Sequence, residues 1–264
     1  MEEAKPKAKR TVKPKVDKVL VVIPYCSEGA QGRELEYAVA GWRKHFKENY
    51  LIVIAGEKHP ICDSGDDIVC VESPRVPAKS GQYRPHLDYV SCLKKVHEAF
   101  PKSKGFIMVA DDCYAVNDFD LIDVKFLKQK SSDISATYAS DNGWVRDKAK
   151  TRDRLVKDGY PTRNFTTHLP QYYEWDKLIA LWERYKMQDI SYVMEDLYYN
   201  IYYPTRIPLQ MNIDFDNLKC GVYRANPRLE YLKRALHKQI WIQNSPPGWI
   251  PPLEQLLKEH YQIV

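Results

Sequence analysis

The sequence predicts an α/β protein with a mostly parallel sheet flanked by helices, on three observations. The early apolar runs are strand-sized and apolar throughout, as in strands buried on both faces. Between them lie segments whose apolar residues recur every three or four positions, the period of an amphipathic helix. A chain of 264 residues, 44% hydrophobic and 28% charged, has the size and composition of a globular protein with one substantial core.

The first run, Lys18 to Tyr25, reads as a strand, and Leu35, Val39, Trp42 and Phe46 mark a helix from Arg33 to about Lys47. Tyr50 to Ala55 is the second strand, stopped by Gly56; Asp67 to Val71 is the third. A helix is expected from Arg84 to Phe100 and a fourth strand from Phe106 to Ala110. Strands alternating with helices imply right-handed crossovers and a parallel sheet. Further on, Asp133 to Ala139 is a candidate strand, 141–165 a long polar loop, and Trp175 to Tyr185 and Tyr192 to Tyr199 are helices. A strand near Gly221 to Tyr223, a helix from Arg228 to Lys238 and a Pro-rich segment from Pro246 to Pro252 complete the reading. The expected organisation is a basic disordered tail over residues 1–17 and a single domain over 18–264.

No apolar run is long enough to span a bilayer, and the N-terminus lacks the apolar core of a secretory signal, so a cytoplasmic location is expected. The scattered cysteines Cys26, Cys62, Cys70, Cys92, Cys113 and Cys220 read as free thiols, without the paired spacing of a structural zinc site. Most of the formal charge of +5 falls in the tail, which is either a solvated segment or an arm for a polyanion.

Ligands of open parallel sheets bind beyond the carboxyl ends of the strands. Those positions hold Pro24 and Tyr25, then Glu57, then Asp111 and Asp112. Adjacent carboxylates at the end of a buried strand repel each other and lose hydration, and a divalent cation offsets both costs. Mg²⁺ or Mn²⁺ held by one or two carboxylates keeps positions for phosphate oxygens, so a nucleotide diphosphate is the natural ligand. The chain has no P-loop and no dinucleotide glycine pattern, which leaves phosphate to the metal and to cations such as Arg33, Lys79 or Arg84, each equally readable as a surface charge. His168, directly after the basic 141–165 stretch, is a candidate for the metal or the acceptor, and His237 a second. The cations of that stretch are candidates to close over a diphosphate or to grip an anionic acceptor, beside aromatics such as Trp144 and Tyr172.

Val21-Val-Ile-Pro-Tyr25, Ile52-Val-Ile-Ala-Gly56-Glu57, Phe106-Ile-Met-Val-Ala-Asp111-Asp112 and Met194-Glu195-Asp196 together resemble the blocks of a GT-A-type (Rossmann-like) glycosyltransferase, over about residues 18–200. The run Arg33 to Trp42, with His168-Leu-Pro170 and the Asp pair, is also similar to Stealth-type sugar-phosphate transferases. The first resemblance implies a nucleotide-sugar donor bound by Pro24, Tyr25, Arg33, Glu57, Arg84 and Asp111. It implies Mn²⁺ or Mg²⁺ on Asp112, with Asp111 and His168 as further ligands, and Asp196 or Glu195 as the base, Asp196 being preferred. The acceptor it implies is a glycan or, through the basic tail and loop, a hydroxymethylated base in DNA. The pattern departs from Asp-x-Asp, because neither Ala110 nor Cys113 is acidic. A non-catalytic nucleotide-sugar or nucleic-acid binding module is the alternative that this departure favours.

Overall fold

The computed structural model describes residues 18–76, 85–212, 218–225 and 229–263. The tail over 1–17 and the candidate phosphate ligands Lys79 and Arg84 lie outside the described residues. The elements run β1 (Val19–Tyr25), α1 (Glu34–His45), β2 (Tyr50–Gly56), β3 (Ile68–Glu72), α2 (Pro85–Ala99), β4 (Gly105–Met108) and β5 (Cys113–Ala115). They continue with α3 (Leu121–Lys125), β6 (Lys128–Gln129), α4 (Gly143–Lys157), β7 (Gln171–Glu174), α5 (Trp175–Tyr185) and α6 (Met194–Tyr202). Last come β8 (Leu209–Gln210), β9 (Lys219–Val222), α7 (Leu229–Lys238), β10 (Trp241–Asn244) and α8 (Pro251–Tyr261).

Among the described residues the central sheet has the order β3-β2-β1-β4-β7. Its first four strands are parallel, and β7 closes the edge antiparallel to β4, with Met108 opposite Gln171. This is the mainly parallel, helix-flanked sheet that the continuous apolar runs predict. Strand β1 shows why those runs do not alternate: Leu20 and Val22 pack into one buried cluster with α2, α5 and α6, and Val21 and Ile23 into another with α1. A second sheet, β5-β10-β9, sits past the end of β4 and pairs Cys113 with Gln243.

Two expectations are corrected. The stretch 141–165 is not a loop, because residues 143–157 form α4. Asn142 Oδ1 accepts from the amides of Trp144 and Val145 to start it, Ala149 and Leu155 are buried on its inner face, and Asp147–Lys150 and Arg154–Asp158 pair along it. So many charges on one helix hide its apolar period. The candidate strand 133–139 is not a regular strand: Ser131 Oγ donates to Asp133 O, Thr137 Oγ1 accepts from Ala139 N, and Arg152 reaches Ala136 O, so side chains take the groups a ladder would use. The Pro-rich segment resolves into a 3₁₀ turn at Pro246–Gly248 and then α8, whose two leading prolines occupy positions where no amide partner is needed.

Candidate active site

Parallel register brings the carboxyl ends of β1, β2 and β4 to one edge of the sheet. At the end of β2, Gly56 has φ +129°, and a Cβ there would stand 2.3 Å from the Tyr25 carbonyl oxygen, so only glycine lets β2 end against β1. The next residue, Glu57, accepts from Ser27 through both amide (2.9 Å) and hydroxyl, which holds its carboxyl below the usual range.

Two clefts open along this edge. One, of about 170 Å³, lies beyond β1, β2 and β3 and is walled by Pro24, Tyr25, Glu57, Arg75 and Tyr89. The other, of about 100 Å³, lies between the ends of β1 and β4 and the segment before β7, and is walled by His168, Leu169, Gln171 and Glu195. Pro24, Tyr89 and Asp111 belong to both, so the two clefts meet at Asp111.

The acidic turn that follows β4 is held from behind. Val109 N donates to Val22 O at 3.1 Å, and Asn244 N on β10 donates to Asp112 O at 3.1 Å. Gln243 Nε2 donates to Asp112 Oδ2 at 3.0 Å, whereas Asp112 Oδ1 is buried without a partner among the described residues. Burial raises the Asp111 carboxyl to about 8, with the charges of Asp112 and Glu34 adding to the effect. Burial likewise raises Asp112 to about 7, opposed by the Gln243 bond and reinforced by Glu34.

Glu34 is a site residue the sequence reading passed over. It is 3% exposed at the start of α1, accepts from Asn244 Nδ2 and Gln31 N at 2.6 Å each, and is itself raised by burial. Its apparent signal in sequence is only that of an acidic first helical turn. The charge of Glu34 therefore bears on both Asp111 and Asp112. Cys113, which stands where a second acid of Asp-x-Asp would, points into the core, and burial pushes its thiol up. Among the described residues no group of three or more acidic, His or Cys side chains is arranged as a ligand set. Asp112 borders neither cleft, but it adjoins Asp111, which borders both, and its unpartnered oxygen fits a cation held by one or two carboxylates and completed by phosphate oxygens.

His168 borders the second cleft at φ +57°, where the chain turns into β7. Although it is open to solvent, its ring stands in a concavity: desolvation first, then the charges of Lys219, Lys130 and Lys148, lower it to about 4. It is neutral near pH 7. Lys219, another residue missed in sequence, is 1% exposed and donates to Thr167 O at 2.7 Å and Tyr223 Oη at 2.8 Å, and its charge favours ionised Asp112.

The acidic pair at the start of α6 divides. Glu195 faces the second cleft, and its Oε2 is buried without a partner among the described residues. Asp196 is fully buried in the wall, where it accepts from Phe165 N at 2.6 Å and borders neither cleft. Arg33 also borders neither, being paired with Glu36 at 2.5 Å, and His237 lies exposed on the last turn of α7.

Most cations of 141–165 are held within the fold, Lys157 standing exposed. Arg146 donates to Ser140 O, Lys148 to Thr166 Oγ1, Lys150 to Asp147 and Ser191 O, and Arg163 to Tyr203 O and Pro204 O.

Fold and site together define an α/β protein with a mainly parallel sheet and an acid-bearing double cleft at its carboxyl edge. No model of a known family matches the chain, and no curated protein matches it. Solved structures similar to it include a glycosyltransferase involved in glycosylation of the major capsid of PBCV-1, at 14% identity and TM-score 0.40, covering 93% of this chain and 100% of that one. The apo bifunctional glycosyltransferase WbbM gives 13% identity and TM-score 0.49 over 99% of this chain and 51% of that one. The apo glycosyltransferase GlyE of Streptococcus pneumoniae TIGR4 gives 11% identity and TM-score 0.38 over 94% of this chain and 61% of that one. The chain thus spans about half of the WbbM chain and three fifths of the GlyE chain. Among the described residues no helix is long and apolar enough to cross a membrane.

Proposed function

We propose that the chain is a glycosyltransferase that moves a sugar from a nucleotide-diphosphate donor to a hydroxyl of a glycan, with Mn²⁺ or Mg²⁺ at the acidic turn. The observation that carries this reading is the meeting of two clefts at Asp111, one beyond the parallel strands and one bordered by an unpartnered carboxylate, Glu195. The sequence resemblance of the strand-end blocks and of Met194-Glu195-Asp196 supports it independently.

In this reading the nucleotide lies in the first cleft against Pro24 and Tyr25, with Arg75 near the phosphates. Asp112, through its unpartnered oxygen, and Asp111 would hold the cation, which would supply positive charge for the departing diphosphate. Asp111 also faces the transferred sugar at the junction of the clefts. The acceptor hydroxyl occupies the second cleft and gives its proton to Glu195 as its oxygen bonds to the anomeric carbon and the bond to the diphosphate breaks. Glu195, not Asp196, takes this part, because Asp196 is enclosed in the wall and engaged with Phe165 N, where it positions the chain before His168. Neutral His168 serves as a hydrogen-bonding group toward the acceptor. A DNA acceptor is not carried forward: most of the 141–165 cations expected to grip it are engaged within the fold, and the basic tail lies outside the described residues.

The test is a donor-hydrolysis screen of nucleotide sugars with Mn²⁺ or Mg²⁺, the released nucleotide being identified by mass. Cation-dependent release of a nucleoside diphosphate is expected, reduced about 100-fold or more in Asp112→Asn, with transfer to acceptor reduced comparably in Glu195→Gln. Release of the monophosphate instead would make the enzyme a sugar-phosphate transferase, and absence of any release with every donor would overturn the enzymatic reading.

A further inference from the structure

A cavity of about 600 Å³, larger than either cleft, lies on the other side of Gln171, a residue that borders both it and the second cleft. Nothing in the proposed chemistry uses it. It runs along β7, between α3 and the end of α6, and its surface combines three kinds of group.

The first kind is positive charge without a direct ion pair, although Lys125 acts at a distance on Glu174. Lys104, Lys125 and Arg206 border the cavity, and among the described residues none has a carboxylate within 4.0 Å. Two of them are held over aromatic faces: Lys125 Nζ stands 4.5 Å from the centre of the Tyr172 ring, and the Arg206 guanidinium 5.1 Å from that of Tyr203. Such contacts orient the cations without neutralising them. The second kind is a set of acceptors for hydroxyl groups, namely Asp176 and Glu174, the latter already receiving Lys177 and Tyr203 Oη at 2.7 Å each. The third is an apolar platform at the rim, Phe126, which is 63% exposed.

The edge of β7 is not offered to another strand. Tyr199 Oη donates to Tyr172 O at 2.8 Å and Tyr198 Oη accepts from Glu174 N at 2.9 Å, so side-chain hydroxyls close the backbone groups a strand would use. A concave cavity of this size does not match a flat membrane surface. Cations, carboxylates and exposed ring faces together match a saccharide that carries anionic groups, whose acids meet the lysines, whose hydroxyls meet Asp176 and Glu174, and whose C–H faces meet Phe126.

From this we infer that the cavity beside β7 binds an acidic saccharide, a glycan bearing carboxylate, sulfate or phosphate groups. As the route by which an acceptor chain reaches Glu195 past Gln171, it rests on the transferase reading; as a binding site it stands apart from it.

Titration of the full chain with hexagalacturonate and with neutral maltohexaose separates charge from ring chemistry. The acidic hexamer is expected to bind at least tenfold more tightly, with affinity falling as salt rises. Lys104→Gln/Lys125→Gln/Arg206→Gln, all at exposed positions, is expected to remove that preference while donor hydrolysis stays within twofold. Phe126→Ala should weaken both hexamers. Equal affinity for the two hexamers, binding of neither, or an unchanged preference in the triple variant would overturn the inference. So would cation-dependent docking to phosphatidylglycerol vesicles, lost in the triple variant, in place of saccharide binding. Failure of donor hydrolysis in the wild type with hexamer binding intact would instead count against the transferase reading alone.

Discussion

The acidic turn at Asp111 and Asp112 and the basic helix α4 are both charge-rich segments, but they handle charge in opposite ways. In α4 almost every long cation meets a carbonyl, hydroxyl or carboxylate of the same fold. At the turn, burial first and then neighbouring carboxylates raise the proton affinity of Asp111 and Asp112, and one Asp112 oxygen has no partner among the described residues. Charge density therefore does not locate the site; charge left unneutralised by the fold does. Cleft access, not pairing, separates Glu195 from Asp196: each has one buried oxygen without a partner among the described residues, but only Glu195 borders a cleft.

Stability against pH separates the two segments. Carboxyls whose folded values stand near 7 and 8, against about 3.9 in the unfolded chain, bind protons more tightly when folded. Their contribution to stability is fully present below about pH 4 and is lost as pH rises through about 7 to 8. Asp112→Asn removes one carboxyl and relieves its neighbour, so at pH 8 without added metal the variant should be more stable than wild type by about 1–3 kcal/mol, the gap closing toward pH 4. Urea melts at several pH values measure this. A variant less stable than wild type at pH 8 would mean that the turn is a structural element of the kind seen in α4.

The smaller effect lies in α4. Arg154→Gln removes a partly exposed i,i+4 pair with Asp158, which keeps Tyr185 Oη at 2.7 Å. The expected cost is about 0.5 kcal/mol, with donor hydrolysis unchanged. A large loss of turnover on this substitution would return α4 to the active site.

The parallel core was legible because strands buried on both faces write continuous apolar runs, as β1 and β2 do. The Asp pair was legible for a related reason: it directly follows such a run. Glu34, Gln243, Asn244 and Lys219 were not legible, because they join the site through α1 and the β5-β10-β9 sheet, whose pairing across more than a hundred residues leaves no local pattern. Strand β7 escaped because it is four residues long and antiparallel, and α4 because its charges outnumber its apolar positions. Choosing between Glu195 and Asp196 required the direction each side chain takes at the head of α6, where neighbouring residues point about 100° apart.

If Asp111 and Asp112 seat a cation and a diphosphate, as proposed, the two ligands bind there together. Thermal melting at pH 8 with Mn²⁺, with uridine or guanosine diphosphate, and with both tests it most directly. The account predicts that one diphosphate together with Mn²⁺ raises the wild-type Tm by several degrees, more than either alone, and that Asp112→Asn abolishes the joint effect. A joint shift of equal size in the variant, or none in the wild type with either nucleotide, would contradict it.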